Sequence, residues 1–184
     1  MTKTAQRMLT LMDRAVTLWN LPVIGKEKAA LMRRLIERDR PHRALEVGSL
    51  FGYSALVIAG SLPPGGRLTC VESSPFLAWM VEANVREAGL GARVKVVVGD
   101  ALEVLPRVGG PLDFVFIDAQ KEDYLRYLRA VERRLAAGAL VVADNTGIFR
   151  RDVKGYLAHV RGPAYESREH DFGFDCMEVS VYRG

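Results

Sequence analysis

The apolar positions change their spacing along the chain, and each change marks a change of structure. Between residues 5 and 19, Met8, Leu11, Met12, Ala15, Val16 and Trp19 recur every three or four positions, the spacing of one helix face. Pro22 ends that run, and a second helix is predicted over 26–38, burying Met32, Leu35 and Ile36 before Pro41. Beyond Pro41, short apolar runs alternate with helical stretches. Strands are predicted near 43–47, 67–71, 94–98, 112–117 and 139–143, separated by helices near 53–61, 75–88, 101–108 and 122–135. Gly65-Gly66, Gly89, Gly109-Gly110 and Gly138 fall where helices must stop, as capping glycines do. A short helix near 152–160 gives way at Pro163 to two strands, 164–169 and 177–182, around Phe172-Gly173-Phe174.

This alternation predicts an α/β fold: a Rossmann-like, doubly wound, mostly parallel seven-stranded sheet with helices on both faces and a C-terminal antiparallel hairpin. No repeat, low-complexity segment or linker interrupts the pattern, so residues 1–184 are expected to form a single domain, with the helices of 1–40 packed over its ligand site. A chain of this length buries roughly two thirds of its unfolded surface and needs neither disulfides nor a structural metal to fold.

Composition narrows the function classes. Apolar residues make up 49% and charged residues 26%, ordinary values for a globular domain. The formal charge is only +4, and Arg33-Arg34, Arg133-Arg134 and Arg150-Arg151 are isolated pairs rather than a phosphate track, so no nucleic-acid partner is expected. No 18 apolar residues run together and no signal-type block follows Lys3 and Arg7, so no membrane partner is expected and the predicted location is cytoplasmic. Cys70 and Cys176 lie in strand-like stretches without a CxxC pattern and read as core thiols. His42, His159 and His170 are isolated and receive no role, and Tyr124, Tyr127 and Leu128 read as helix packing. Met8, Met12 and Trp19 read as a core stripe, and Lys26 and Lys28 as solvated helix residues.

The chemistry sits at the strand ends. The run 112–117 closes on Asp118 and the run 139–143 on Asp144-Asn145. Neighbouring strands lie about 4.8 Å apart, so two carboxylates and an amide there can share one hard cation such as Mg2+. Lys121 follows Asp118 by three residues, and a nearby divalent cation disfavours an ammonium, which makes Lys121 a candidate general base. The first strand runs into Glu46-Val47-Gly48-Ser49-Leu50-Phe51-Gly52-Tyr53-Ser54, a glycine turn before a helix where doubly wound sheets bind ligands. It lacks the G-x-G-x-x-G of a dinucleotide site. Glu46 would repel a pyrophosphate yet tolerate an ammonium and a sulfonium. Glu72 ends the second strand, placed to accept both hydroxyls of a ribose, and Asp100 follows the third, placed to accept an adenine amine.

Together these residues resemble the class I S-adenosylmethionine-dependent methyltransferases, and Asp118-x-x-Lys121 with Ala143-Asp144-Asn145 resembles their cation-dependent, catechol O-methyltransferase-like branch. The resemblance runs from about Leu21 to Glu178-x-x-x-Tyr182-x-Gly184. It implies methyl transfer from S-adenosylmethionine to a hydroxyl of a small aromatic diol, with Mg2+ or another divalent cation held by Asp118, Asp144 and Asn145. It also implies cofactor contacts at Ile24, Glu46, Gly48, Ser54, Glu72, Asp100 and Asp118, Lys121 as base, and Glu178 accepting from the substrate's second hydroxyl. Gln120, and Asn20 beside Trp19, stand where that family carries aromatic gatekeepers. The segment between Asn145 and Pro163 is too short for a coenzyme A clasp. Methylation of RNA or protein on the same fold, a non-catalytic cofactor-binding module, and assembly as a homodimer remain open readings.

Overall fold

A computed structural model describes residues 1–184. Two helices, α1 (Lys3–Trp19) and α2 (Gly25–Asp39), precede β1 (Arg43–Val47), α3 (Tyr53–Ser61), β2 (Arg67–Glu72), α4 (Pro75–Glu87) and β3 (Val94–Val98). Then come α5 (Ala101–Val104), β4 (Leu112–Ile117), α6 (Tyr124–Val131), β5 (Leu135–Ala143), α7 (Lys154–Val160), β6 (Tyr165–Asp171) and β7 (Cys176–Tyr182). The seven strands form one sheet in the order β3-β2-β1-β4-β5-β7-β6. Every pairing from β3 to β5 is parallel, and β7 pairs antiparallel with both β5 and β6. This is the fold the periodicity predicts.

Both faces of the sheet are covered. One core joins α1, α2, α3 and α4 to Phe114, Phe116, Leu140 and Val142, and the other joins α6 and α7 to Leu45, Val115, Ile117 and Val141. Alternate residues of β4 and β5 serve opposite faces, which is why these strands read as continuous apolar runs.

Three local expectations are corrected. The helix predicted over 101–108 is the four-residue α5 followed by a 3-10 turn at Leu105–Arg107. Pro106 has no N–H to continue the ladder. The helix predicted over 122–135 stops at Val131, a 3-10 turn follows at Glu132–Arg134, and β5 begins at Leu135, running through Gly138 at φ +83°. The buried face of α1 is Ala5, Leu9 and Met12, while Trp19 is 71% exposed. Burial fades toward the C-terminal end of α1, and Trp19 is its last residue before the left-handed cap Asn20.

Candidate functional site

The parallel ladder carries the site residues to one edge. Val47, Ile117 and Ala143 are in register across β1, β4 and β5. The ladder continues one step further, with Asp118 N–H donating to the Val47 carbonyl at 2.9 Å and Asp144 N–H to the Ile117 carbonyl at 3.1 Å. Gly48, Asp118 and Asp144 therefore lie side by side at the switch point where strand order reverses between β1 and β4. Gly48 has φ +85°, and a Cβ there would fall 2.3 Å from the Asp118 carbonyl oxygen. No other residue fits so close a backbone crossing.

Two cavities meet at Gly48. One, of about 460 Å3, is walled by Ile24, Ser54, Asp118, Lys121, Asp144 and Asn145, with Phe149 and Phe174 at its rim. The other, also about 460 Å3, is lined by Glu72, Asp100, Gln120 and Tyr127. Pro22, Val23 and Ile24, the turn between α1 and α2, form part of the first wall. Tyr53, which also lines this cavity, ties α3 to α1 by donating its hydroxyl to Asp13 at 2.8 Å.

Each carboxylate in the first cavity faces an ammonium. Lys121 Nζ donates to Asp118 Oδ1 and to the Tyr124 hydroxyl, both at 2.8 Å, and Tyr124 in turn donates to the Asp144 carbonyl at 3.1 Å. Lys28 Nζ lies 2.5 Å from Asp144 Oδ1 and 2.5 Å from Asp175 Oδ2. Burial disfavours the Lys28 ammonium, but the charges and hydrogen bonds of Asp144 and Asp175 outweigh it and raise Lys28 above the ordinary lysine range. Burial and the charge of Asp118 push the Asp144 carboxyl up, against the pull of Lys28. Asn145, left-handed at φ 58°, donates its amide nitrogen to Asp175 Oδ2 at 2.8 Å.

Glu72 does more than the sequence suggests. Its Oε2 accepts from the Ser49 and Leu50 N–H groups at 3.1 and 3.0 Å, and its Oε1 from Ser74 N–H at 3.0 Å. Leu50 sits at φ 50°, an uncommon conformation for a branched residue, and the carboxylate holds the strained loop in place. Asp100 caps α5 by accepting from Leu102 N–H at 2.8 Å while it lines the second cavity.

The structure thus brings together Ile24, Gly48, Ser54, Asp118, Lys121, Asp144 and Asn145, and sets Glu72 and Asp100 in the adjoining lobe. It does not bring Glu46 or Glu178 to either cavity. Glu46 is wholly buried beneath the glycine loop, where it accepts from Ser49 Oγ at 2.7 Å. Glu178 is also wholly buried, gripped by Arg161, whose Nε and Nη2 donate to its two oxygens at 2.8 Å each. Its register opposite Ala143 turns it to the α7 side of the sheet, away from both cavities. Lys28, read as solvated, is only 8% exposed. Of the gatekeeper positions, Gln120 lines the second cavity, and neither Asn20 nor the neighbouring Trp19 lines either one. The aromatic rim comes from Phe149 and from Phe174, 85% exposed on the β6–β7 turn. Only the Phe172-Gly173-Phe174 pattern hinted at that rim.

Comparison with known proteins gives the same assignment. Residues 5–154 match the O-methyltransferase family. A catechol O-methyltransferase of Mycobacterium tuberculosis is 43% identical over 104 residues, which cover 56% of this chain and 47% of that enzyme, so the match spans about half the relative's length. The catechol O-methyltransferase of Sus scrofa is 32% identical over 175 residues, covering 88% of this chain and 93% of that one. Among solved structures, the O-methyltransferase TomG of Streptomyces achromogenes, in complex with SAM, superposes with a TM-score of 0.85 at 26% identity, covering 96% of this chain and 90% of that chain. On matches of this extent, joined to the seven-stranded sheet, the chain belongs to the O-methyltransferase family.

Proposed function

We propose that the chain transfers a methyl group from S-adenosylmethionine to one hydroxyl of a small vicinal diphenol, with a divalent cation such as Mg2+ at the strand ends. The observation that carries this reading is the convergence of Asp118, Asp144, Asn145 and Lys121 on one cavity beside a second lobe walled by Glu72 and Asp100. The catechol O-methyltransferase relatives and the SAM-bound TomG structure support it.

The donor set suits a hard cation. Lys121 takes one oxygen of Asp118 and Lys28 one of Asp144, so each carboxylate keeps a second oxygen, and Asn145, held by its nitrogen, keeps its carbonyl. Asp118, Asp144 and Asn145 would offer such an ion three protein oxygens, the ligand type that hard cations prefer. When bound, the cation supplies Lewis-acid charge and the cofactor an electrophilic methyl.

The protein's own groups do the rest. Glu72 and Asp100 accept from the ribose and the adenine in one lobe, while Gly48, Ser54 and Ile24 meet the methionine end in the other. Lys121 takes the hydroxyl proton at Nζ, its own proton having passed to solvent beforehand, and Asp118 with the Tyr124 hydroxyl hold that nitrogen in place. Phe149 and Phe174 offer apolar surface for the substrate ring and keep water from it. Acceleration comes from positioning and placed charge.

The test is methyl transfer from labelled cofactor to a panel of catechols, caffeate and flavonoids, with and without EDTA. Turnover is expected with Mg2+ and none after chelation, and full activity in metal-free buffer would remove the cation from the scheme. Lys121→Arg should lower turnover by about 100-fold, because arginine keeps the charge but cannot act as a base. Near wild-type turnover in that variant would leave Lys121 as a charge only.

A further inference from the structure

We infer that Asp175 is a positioning residue for the cation site, one that orients the Asn145 amide and draws the Lys28 ammonium partly away from Asp144. The inference rests on the cation reading above and deepens it. Asp175 lies in the turn just before β7, 30 residues beyond Asn145, with its side chain 3% exposed. Four donors converge on it: Lys28 Nζ at 2.5 Å and Asn145 Nδ2 at 2.8 Å on Oδ2, and the Gly147 and Ile148 N–H groups at 3.1 and 3.0 Å on Oδ1.

Two of those contacts decide what the cavity presents. A carboxylate accepts hydrogen bonds and cannot donate one, so it selects the NH2 side of Asn145 and turns the amide carbonyl away from itself. The N–H contacts at Gly147 and Ile148 fix the loop on which Asn145 holds its left-handed backbone. That loop needs glycine, since a Cβ on Gly147 would lie 2.8 Å from the Cys176 nitrogen and 3.0 Å from Asp175 Oδ1.

The second contact concerns charge. Lys28 stands between Asp144 and Asp175 at equal distances, so its positive charge is shared. Without the Asp175 carboxylate, Asp144 would be the only acid left to Lys28, and an ammonium would compete with a cation for the same oxygens. Groups that orient ligands in this way typically change metal affinity 10- to 100-fold when altered.

The experiment measures Mn2+ affinity by electron paramagnetic resonance on purified protein, with S-adenosylmethionine affinity by calorimetry and the unfolding temperature alongside. Asp175→Asn keeps the size but has one acceptor oxygen, which cannot serve both Asn145 and the loop N–H groups. It should bind Mn2+ about 10- to 100-fold more weakly with cofactor affinity unchanged, a split that a general loss of structure would not produce. The double variant Lys28→Met with Asp175→Asn carries no unpaired ammonium. It should recover part of that loss yet bind Mn2+ more weakly than Lys28→Met alone, since Asn145 has lost its anchor. Equal affinities in wild type and Asp175→Asn, or in the double variant and Lys28→Met, overturn the inference. If the wild type itself fails to bind Mn2+, the cation reading falls and takes the inference with it, an outcome distinct from equal binding by wild type and variant.

Discussion

Glu46 shows what burial does to a single carboxyl group. It is wholly buried, its Oε1 has no partner, and burial pushes it up to about 7 against the hydrogen bond from Ser49 Oγ. The ordinary value for this group is 4.5, so between about pH 4.5 and 7 the folded chain holds a proton that the unfolded chain has released. Stability therefore falls as pH rises through that window, by about 3 kcal/mol for a shift of this size, and levels off above it. Glu46→Gln should remove this contribution to the slope, leaving the part due to Asp144, and make the protein more stable than wild type at pH 8. Calorimetric unfolding of both forms from pH 4.5 to 8 checks it, and parallel curves would refute it. Single residues differ in how far they can be read from sequence. The shared placement of Asp118, Asp144 and Asn145 was legible because Asp118 and the pair Asp144-Asn145 close apolar strand runs. Lys28 was not: it starts a helix among other charges, and its partners lie 116 and 147 positions away. The burial of Glu178 was not legible for a related reason, since its partner Arg161 joins it only through the hairpin.

At the scale of elements, the β1–α3 loop carries the tightest constraint. It crosses the end of β4 at Gly48, bends through Leu50 at φ 50°, and is tied down by Glu72 from the end of β2. Gly48→Ala adds a methyl group 2.3 Å from the Asp118 carbonyl oxygen in a left-handed conformation. The loss should be about 3 kcal/mol or more, beyond the left-handed penalty alone, and should come with weakened cofactor binding. A urea midpoint and a cofactor affinity equal to wild type would show that the crossing is looser than it stands. Element types were legible wherever the period was sustained, as in β4 and α2. Boundaries failed where backbone chemistry outranks periodicity, at Pro106 in the helix after β3 and at Gly138 inside β5.

Over the whole molecule, ion pairs join the apolar packing of Tyr165, Met177 and Val179 in holding the hairpin edge. Arg161, at the end of α7, binds Glu178 on β7 and Glu169 on β6, and Arg150 reaches Glu169 from the loop after β5. Arg161→Ala leaves the buried Glu178 carboxylate without its partner, and removing one member of such a pair typically costs about 3 kcal/mol. Unfolding midpoints should drop accordingly while methyl transfer below the transition stays near wild type, because neither residue lines a cavity. Unchanged stability would show that this network does not hold the edge. The mixed sheet itself was legible, from Pro163 and the two runs beyond it. The order of the last two strands was not, since nothing in a hairpin's sequence says which arm faces the sheet.

That order has a consequence for how the molecule is built. β7 is synthesised after β6 yet sits inside it, so as the chain leaves the ribosome β5 waits with one flank unpaired until the final arm slides between them. The same arrival delivers Asp175 to Lys28 and Asn145. A nascent chain that has made five parallel strands already carries Asp118 and Asp144 at their ends, but the pole around Lys28 and Asn145 is assembled last.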